Sequence, residues 1–334
     1  ANYQKVDSYT FNTATTDSVY YNWYTAAGAR VTNPDQSNGR PVPQNFKHFW
    51  FQNSRERRGY TLKLETKALE NVYAYLSAGR YEARQEETRH ENYLSITASG
   101  TPAPAGQTET SGSFARGEAE VGYLNGPIDR TTQVLQFGAD WSVSDTGVLS
   151  LRQSNSRATF DEDTPMVKYI FGTVYNANGS SPGTSARPGL AFNYDTSGFA
   201  PAFQLQNPSQ WTNLQNWQGF YWRELLRQSE NEVEDTKLDY RLNLAPDAEG
   251  FGFAVGVAYR SNQYDFNYDQ SDYYPIAAGT SLADAFRPSD VTVPYGGGVP
   301  YLFIDGNAAW QFFNDHRSLF SINPFVGIAA WAVA

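Results

Sequence analysis

The chain has no cysteine, a single methionine and only three histidines in 334 residues. Without cysteine there is neither a disulfide framework nor a thiolate metal site. His48, His90 and His316 have no second histidine or cysteine at ligand spacing, so each reads as a satisfied surface or loop residue. Basic charge is also short: 25 Lys and Arg stand against 35 Asp and Glu, a net charge of −10. Such a chain lacks the basic face that displaces counterions from nucleic acid. Charged residues make up only 18%, yet no stretch is long and apolar enough for a transmembrane helix. The N-terminal segment has neither the charged nor the apolar part of a secretory leader.

Aromatic residues are abundant, with 23 Tyr, 21 Phe and 8 Trp. An excess of this kind suits the girdles that mark both lipid–water interfaces of a membrane β-barrel. It also suits an aromatic-rich secreted β-protein that binds glycans. The alternation of residues separates these two. Leu238, Tyr240, Leu242 and Leu244 alternate with Lys237, Asp239, Arg241 and Asn243. After the turn 245–250, Phe251, Phe253, Val255, Val257 and Tyr259 alternate with Gly252, Ala254, Gly256 and Ala258. Strict period two predicts strands with one bulky apolar face and one polar or tiny face.

The pattern recurs. Tyr60, Leu62 and Leu64 alternate with Thr61, Lys63 and Glu65, and a short turn at 67–71 leads into a strand from Val72 to Gln85. Leu135, Phe137, Ala139 and Trp141 lead to the turn Ser144-Asp145-Thr146-Gly147, and Leu149 and Leu151 lead away. Tyr3–Asn12 and Phe46–Arg58 form a first hairpin around Asn33-Pro34-Asp35, Asn38-Gly39 and Pro41-Val42-Pro43. Between these arms lie stretches predicted to be irregular: 86–113, 161–229 and 262–300. Short turns then fall at one end and long loops at the other, as in outer-membrane barrels with short periplasmic turns and long extracellular loops. The expected fold is all-β, an antiparallel transmembrane β-barrel, with residues 1–334 belonging to one barrel domain. About eight to ten long strands are legible, fewer than the roughly 22 of large transporters. The apolar end, Phe320–Ala334, and the unclosed edge make the chain an internal piece of a bigger barrel.

Several runs resemble strands of TonB-dependent outer-membrane receptors, above all the subfamily abundant in Caulobacter- and Xanthomonas-like bacteria. They are Arg55-Glu56-Arg57-Arg58-Gly59-Tyr60-Thr61-Leu62-Lys63-Leu64-Glu65-Thr66 and Asn71-Val72-Tyr73-Ala74-Tyr75-Leu76-Ser77-Ala78-Gly79-Arg80-Tyr81. Asp129 to Trp141, Glu234 to Tyr240 and Phe253 to Arg260 belong with them. The resemblance covers about Val6 to Tyr264, mainly in strands. It implies a barrel in outer-membrane lipid, an N-terminal plug, a TonB-contacting box and uptake of a scarce nutrient driven through the TonB complex. Plug, box and the aromatic barrel-terminal strand are not seen in the sequence.

No enzyme and no cofactor is expected. Gly296-Gly297-Gly298 lacks the Lys-Ser/Thr of a phosphate loop, and there is no Gly-x-Ser-x-Gly elbow. Asp265-x-Asn267-x-Asp269 opens like a calcium loop but has Gln270 and Ile276 where Gly and Glu are needed. Asp161-Glu162-Asp163 reads as a solvated loop end. Trp211, Trp217, Phe220, Tyr221 and Trp222 lie among Gln and Asn, and Trp211, Trp217, Tyr221 and Trp222 are the candidate ligand-binding residues, suited to an oligosaccharide. The same rings would equally serve to pack the loop or to sit at the outer interface. Trp222–Arg227 is read as a short helix. Arg152, Lys237, Asp239 and Arg241 would face the lumen.

Overall fold

The computed structural model describes residues 1–14, 21–31, 39–96, 103–172, 189–244, 249–276 and 279–325. Its elements, in chain order, are β1 (Asn2–Ala14), β2 (Tyr21–Tyr24), β3 (Arg30–Val31), β4 (Arg40–Pro43), β5 (Asn45–Leu69), β6 (Val72–Ser95), β7 (Ser111–Ser142) and β8 (Gly147–Asp163). Then follow β9 (Met166–Phe171), β10 (Leu190–Asp195), β11 (Ala202–Leu205), helix α1 (Pro208–Thr212), β12 (Trp217–Leu242) and β13 (Phe253–Pro275). The chain continues through β14 (Phe286–Arg287), β15 (Phe303–Ile304), helix α2 (Gly306–Asp315) and β16 (Phe320–Phe325).

One antiparallel sheet organises the molecule, in the order β1-β5-β6-β7-β8-β12-β13-β16, with β9, β10 and β11 joined at its upper end. Each long strand pairs with the next long strand along the chain, with β2–β4 inserted between β1 and β5 and β9–β11 between β8 and β12. Strands of 25, 24, 32, 26 and 23 residues (β5, β6, β7, β12 and β13) far exceed the usual 3–10. Among the described residues the two ends of this path do not pair with each other, so it is open.

Three tight connections lie at one end. Leu69 pairs with Val72, leaving a two-residue turn. Ser142 pairs with Val148, and Val143 N–H donates to the Gly147 carbonyl at 2.9 Å. In the third, Asn243 adopts φ +53° and its side-chain amide donates to the carbonyls of Glu249 (2.7 Å) and Phe251 (3.2 Å). Asn tolerates this left-handed backbone better than other residues with a Cβ. The Ala245–Ala248 part of that turn lies outside the described residues, as does 326–334 of the apolar C-terminal stretch.

The expected strands form with the expected neighbours: Tyr3 faces Arg58 and Asn12 faces Phe49. Their lengths correct the reading. β6 runs on to Ser95, β8 to Asp163 and β13 to Pro275, and 161–229 holds β9, β10, β11, α1 and the first half of β12. Trp222–Arg227 is strand, not helix. In these extensions, such as Glu86-Glu87-Thr88-Arg89, both faces carry polar residues, so no alternation marks them. Ladders with neighbours on both sides hold them instead: Glu87 pairs with Asn53 and with Gly126.

Candidate functional site

Directly paired residues point to the same side of a sheet, so the registers sort every position into one of two faces. On one face the rows at the tight-turn end are apolar. One row reads Val72, Trp141, Leu149, Tyr240 and Val255 across β6, β7, β8, β12 and β13. A second reads Thr66, Ala74, Ala139, Leu151, Leu238 and Val257, and a third begins Leu64, Leu76, Phe137. Little covers them: Leu62, Leu64, Leu135, Val255 and Val257 are each more than half exposed. From Phe251, just before β13, to Tyr259 within it, the large apolar side chains alternate over nine positions in a run where nearly every residue is exposed. That matches the roughly 9–11 residues with which a tilted strand crosses a hydrocarbon layer.

The opposite face of the same rows is polar and internally paired. Arg152 donates to both carboxylate oxygens of Asp140 at 2.8 Å. Lys237 lies 2.9 Å from Asp239, and Arg241 donates to the Ser150 hydroxyl at 2.9 Å. Arg152 also lies over the Tyr75 ring, which crosses Gly138; a Cβ there would sit 2.2 Å from the ring. Arg152, Lys237, Asp239 and Arg241 thus share the polar face, and their side chains are engaged with the wall itself.

Further along the strands the apolar face changes character twice. First comes a charged zone, with Glu56, Arg58, Glu82, Arg84, Glu86, Asp129 and, across β8 and β12, Arg157 with Glu230 and Glu232. Beyond it lies a packed core. Phe46, His48, Leu94, Val121, Tyr169, Trp222 and Tyr273 are buried there beneath β10, β11, α1, α2 and the segment 299–304. Asn92 fixes that segment by imitating a strand: its amide donates to the Leu302 carbonyl and its oxygen accepts the Leu302 N–H, both at 2.8 Å. The Tyr301 hydroxyl donates to the His48 and His90 carbonyls, each 2.9 Å away.

Three of the four candidate ligand aromatics belong to this core. Trp211, Trp217 and Trp222 are almost fully buried, and their indole N–H groups donate to the carbonyls of Pro300 (2.8 Å), Trp211 (2.9 Å) and Ala309 (3.0 Å). Trp211 meets Trp217 edge-on at 5.1 Å, and Trp222 packs on Tyr169, Phe313 and Phe320. Stacking on a sugar needs an open ring face, and protein closes these. A β-bulge made this hard to read. Gly219 pairs with Tyr169 but Tyr221 pairs with Lys168, so Phe220 is an extra residue. Trp217 and Trp222, five apart, would otherwise point to opposite faces; the bulge aims both into the core and turns Tyr221 to the polar face.

Tyr221 there joins a charged cluster missed in the sequence. Glu91, Gly122 and Lys168 form one row across β6, β7 and β9, next to Tyr221 of β12. Lys168 lies 2.8 Å from Glu91 and 3.1 Å from Glu120. Gly122 leaves the space for Glu91, whose Cγ would be 2.6 Å from a Cβ. Burial works against the charge of Lys168, but Glu120 and Glu91 outweigh it and hold the ammonium well above the usual lysine range. Burial likewise opposes Glu91, and Lys168 brings its carboxyl below the ordinary value. Arg223 pairs with Asp272 at 2.5 Å beside it. The only sequence signal was the residue types themselves, scattered over three strands.

His48 and His90 correct the surface reading: both are buried, and burial lowers them to about 4 and about 3. His316 is exposed and ends α2, with Nδ1 2.9 Å from the Phe312 carbonyl. Asp265, Asn267 and Asp269 lie along β13 rather than in a loop, about 7 Å apart on one face, and do not surround a point. Asp161, Glu162 and Asp163 end β8, with Glu162 paired to Arg227 at 2.7 Å. Among the described residues no group of three His, Asp or Glu could hold a metal ion. Comparison with protein-family models, with curated proteins and with solved structures returns no match for this chain.

Proposed function

We propose that this chain is wall of an outer-membrane β-barrel of the TonB-dependent receptor type, serving energy-driven uptake of a nutrient, an oligosaccharide or a siderophore-like solute. The observation that carries the reading is the row of apolar residues from Val72 to Val255, continuous across five strands and left largely uncovered, backed by a self-paired polar face. An uncovered apolar patch of this extent marks contact with lipid or another protein. Its height along the strand fits lipid, and the polar reverse fits a lumen wall. The tight turns would lie on the periplasmic side and the capped ends outside the cell. Plug and TonB contact belong to parts of such a receptor that this sequence does not contain. The buried tryptophans lend no weight to a sugar over other solutes.

The rival is a secreted β-sandwich that binds glycans. It requires the alternating apolar set to be packed between two sheets, whereas Val255 and Val257 are 61% and 65% exposed.

Paired substitutions test the wall. Val255→Arg, in the band, should destabilise the bilayer-inserted protein by about 2–4 kcal/mol, and Gln263→Arg, on the same strand in the polar row above it, by about 0–1. Folding into lipid vesicles, followed by heat-modifiable gel mobility, reads both. Equal effects of the two, or a wild-type chain that stays soluble without detergent, would remove the membrane reading.

A further inference from the structure

The chain leaves the sheet after β13 and rejoins it at β16 at almost the same point. Pro275 pairs with Phe320, and the Ile276 N–H donates to the Leu319 carbonyl at 2.8 Å. Between them the segment 279–319 lies as a strap across the sheet. The Thr280 hydroxyl accepts the Gly219 N–H of β12 at 3.2 Å, and Gly306 sits against the Tyr123 ring of β7. At the tip, Asn92 of β6 holds Leu302, and Tyr301 is bonded to the carbonyls of His48 on β5 and His90 on β6. A strap closed at its base can lift at its tip without changing the order of the strands.

Two of the three histidines lie beneath that tip. His90 meets the Phe303 ring edge-on at 4.8 Å and the Tyr123 ring at 5.2 Å, and His48 lies 6.2 Å from Phe203. They are 2% and 1% exposed, and Nδ1 of His90 has no hydrogen-bond partner. The charged group that bears on His90 is Arg287 of the strap, which lies over the Phe303 ring and repels an imidazolium. Asp305 is engaged at the start of α2, where it accepts the Ala308 N–H at 3.0 Å. Burial keeps the Tyr123 and Tyr301 phenols neutral, and Glu91, on the reverse of β6, is taken by Lys168. Around His48 stand Phe203, Asn92 and Tyr301, and burial disfavours its charge. The remaining ties of the tip are uncharged: Trp211 donates to the Pro300 carbonyl and the Phe203 N–H to the Tyr295 carbonyl, both at 2.8 Å.

We propose that this strap is an acid-released latch: when His48 and His90 take up protons, its tip lifts from β5 and β6 while its base stays paired. An imidazolium under the closed tip would be buried without a counter-ion, beside Arg287 in the case of His90. Proton uptake from water therefore goes with opening, which returns both rings to solvent and to their ordinary value of 6.5. With the closed values at about 4 and about 3, the opening equilibrium grows about five-hundredfold between pH 7 and pH 5. Lifting uncovers Trp50, Tyr123 and Phe303, which extends the open apolar face past the charged zone. The latch is independent of whether the sheet stands in a membrane.

The lack of cysteine makes a direct test possible. Val299→Cys in the strap and Leu190→Cys in β10 each put one thiol at a buried position, 2% and 1% exposed. The whole chain is folded in detergent micelles, and the rate with 4,4′-dithiodipyridine is taken relative to a free cysteine peptide at the same pH. Between pH 7 and pH 5 the relative rate of Val299→Cys should rise about five-hundredfold, and that of Leu190→Cys should change little. Adding His90→Gln should cut the rise to about twentyfold, and adding His48→Gln as well should abolish it. Tyr301→Phe should raise the rate at both pH values and keep their ratio. A Val299→Cys thiol indifferent to pH overturns the proposal. Equal rises at Val299→Cys and Leu190→Cys overturn it too, because the cap then opens as a whole. So does a rise of undiminished size with both histidines replaced.

Discussion

The same six strands are stabilised in opposite ways at their two ends. At the tight-turn end nearly all of the organisation is the ladder itself: apolar side chains stand uncovered on one face and ion pairs such as Arg152–Asp140 tie the other. At the far end the same face is roofed by α2, β10 and the segment 299–304, and buried rings meet edge to face. The difference shows what each end requires of its surroundings. The capped end carries its own apolar environment, whereas the apolar face of the banded end is left open by the fold.

Removal of the largest ring from the roofed core breaks the comparison most directly. Trp222→Ala should cost about 3–5 kcal/mol, confined to the cap, because Trp222 contacts α2 and Phe320 and its N–H is held by Ala309. Hydrogen exchange should show lost protection in β10, α2 and 299–304 while the hairpin β12–β13 near Leu238 keeps its own. Uniform loss along the strands would mean that the two ends are one cooperative unit.

Lys168→Met probes the polar face at the capped end. It leaves Glu91 buried without its cation, which should cost about 3–5 kcal/mol, read as a lower denaturation midpoint. Replacing Glu91 and Glu120 by Gln as well should recover much of that loss. The equivalent change at the banded end, Lys237→Met, removes an exposed pair and should cost less than about 1 kcal/mol.

Acid should separate the ends next. His48 and His90 are neutral in the fold, with values lowered to about 4 and about 3 from an ordinary 6.5. Their contribution is therefore fully present above about pH 6.5 and is lost as pH falls toward 4, because only the unfolded chain takes up the protons. Cap stability should decline through that window by up to a few kcal/mol, seen as rising tryptophan exposure to quencher. His90→Gln should flatten part of the decline. The smallest effect lies at the turns: Asn243→Gly should be near neutral and Asn243→Val should cost about 1 kcal/mol, since only the latter resists φ +53°.

Alternation made half of each long strand legible. Leu238 to Tyr240 and Phe253 to Tyr259 announce both the strands and the two faces, because one environment per face imposes period two. The other half was hidden for physical reasons. Glu86 to His90 has polar residues on both faces, and the ladder with β5 and β7 alone makes it strand. Trp217 and Trp222 look like neighbours in an aromatic loop, and only the extra residue at Phe220 puts both on one side of β12. Glu91, Glu120 and Lys168 meet because three separate strands come into register around Gly122.

The sequence by itself determined that the chain is β, where its tight hairpins turn and, in the alternating halves of the strands, which side chains share a face, since those follow from local periodicity and turn chemistry. Tertiary structure decided which part of the apolar face is roofed and which is left open. It also decided that the tryptophans are core and that a charged zone lies between band and cap. Those outcomes depend on register between distant strands, and register is fixed by pairing partners that no local pattern names.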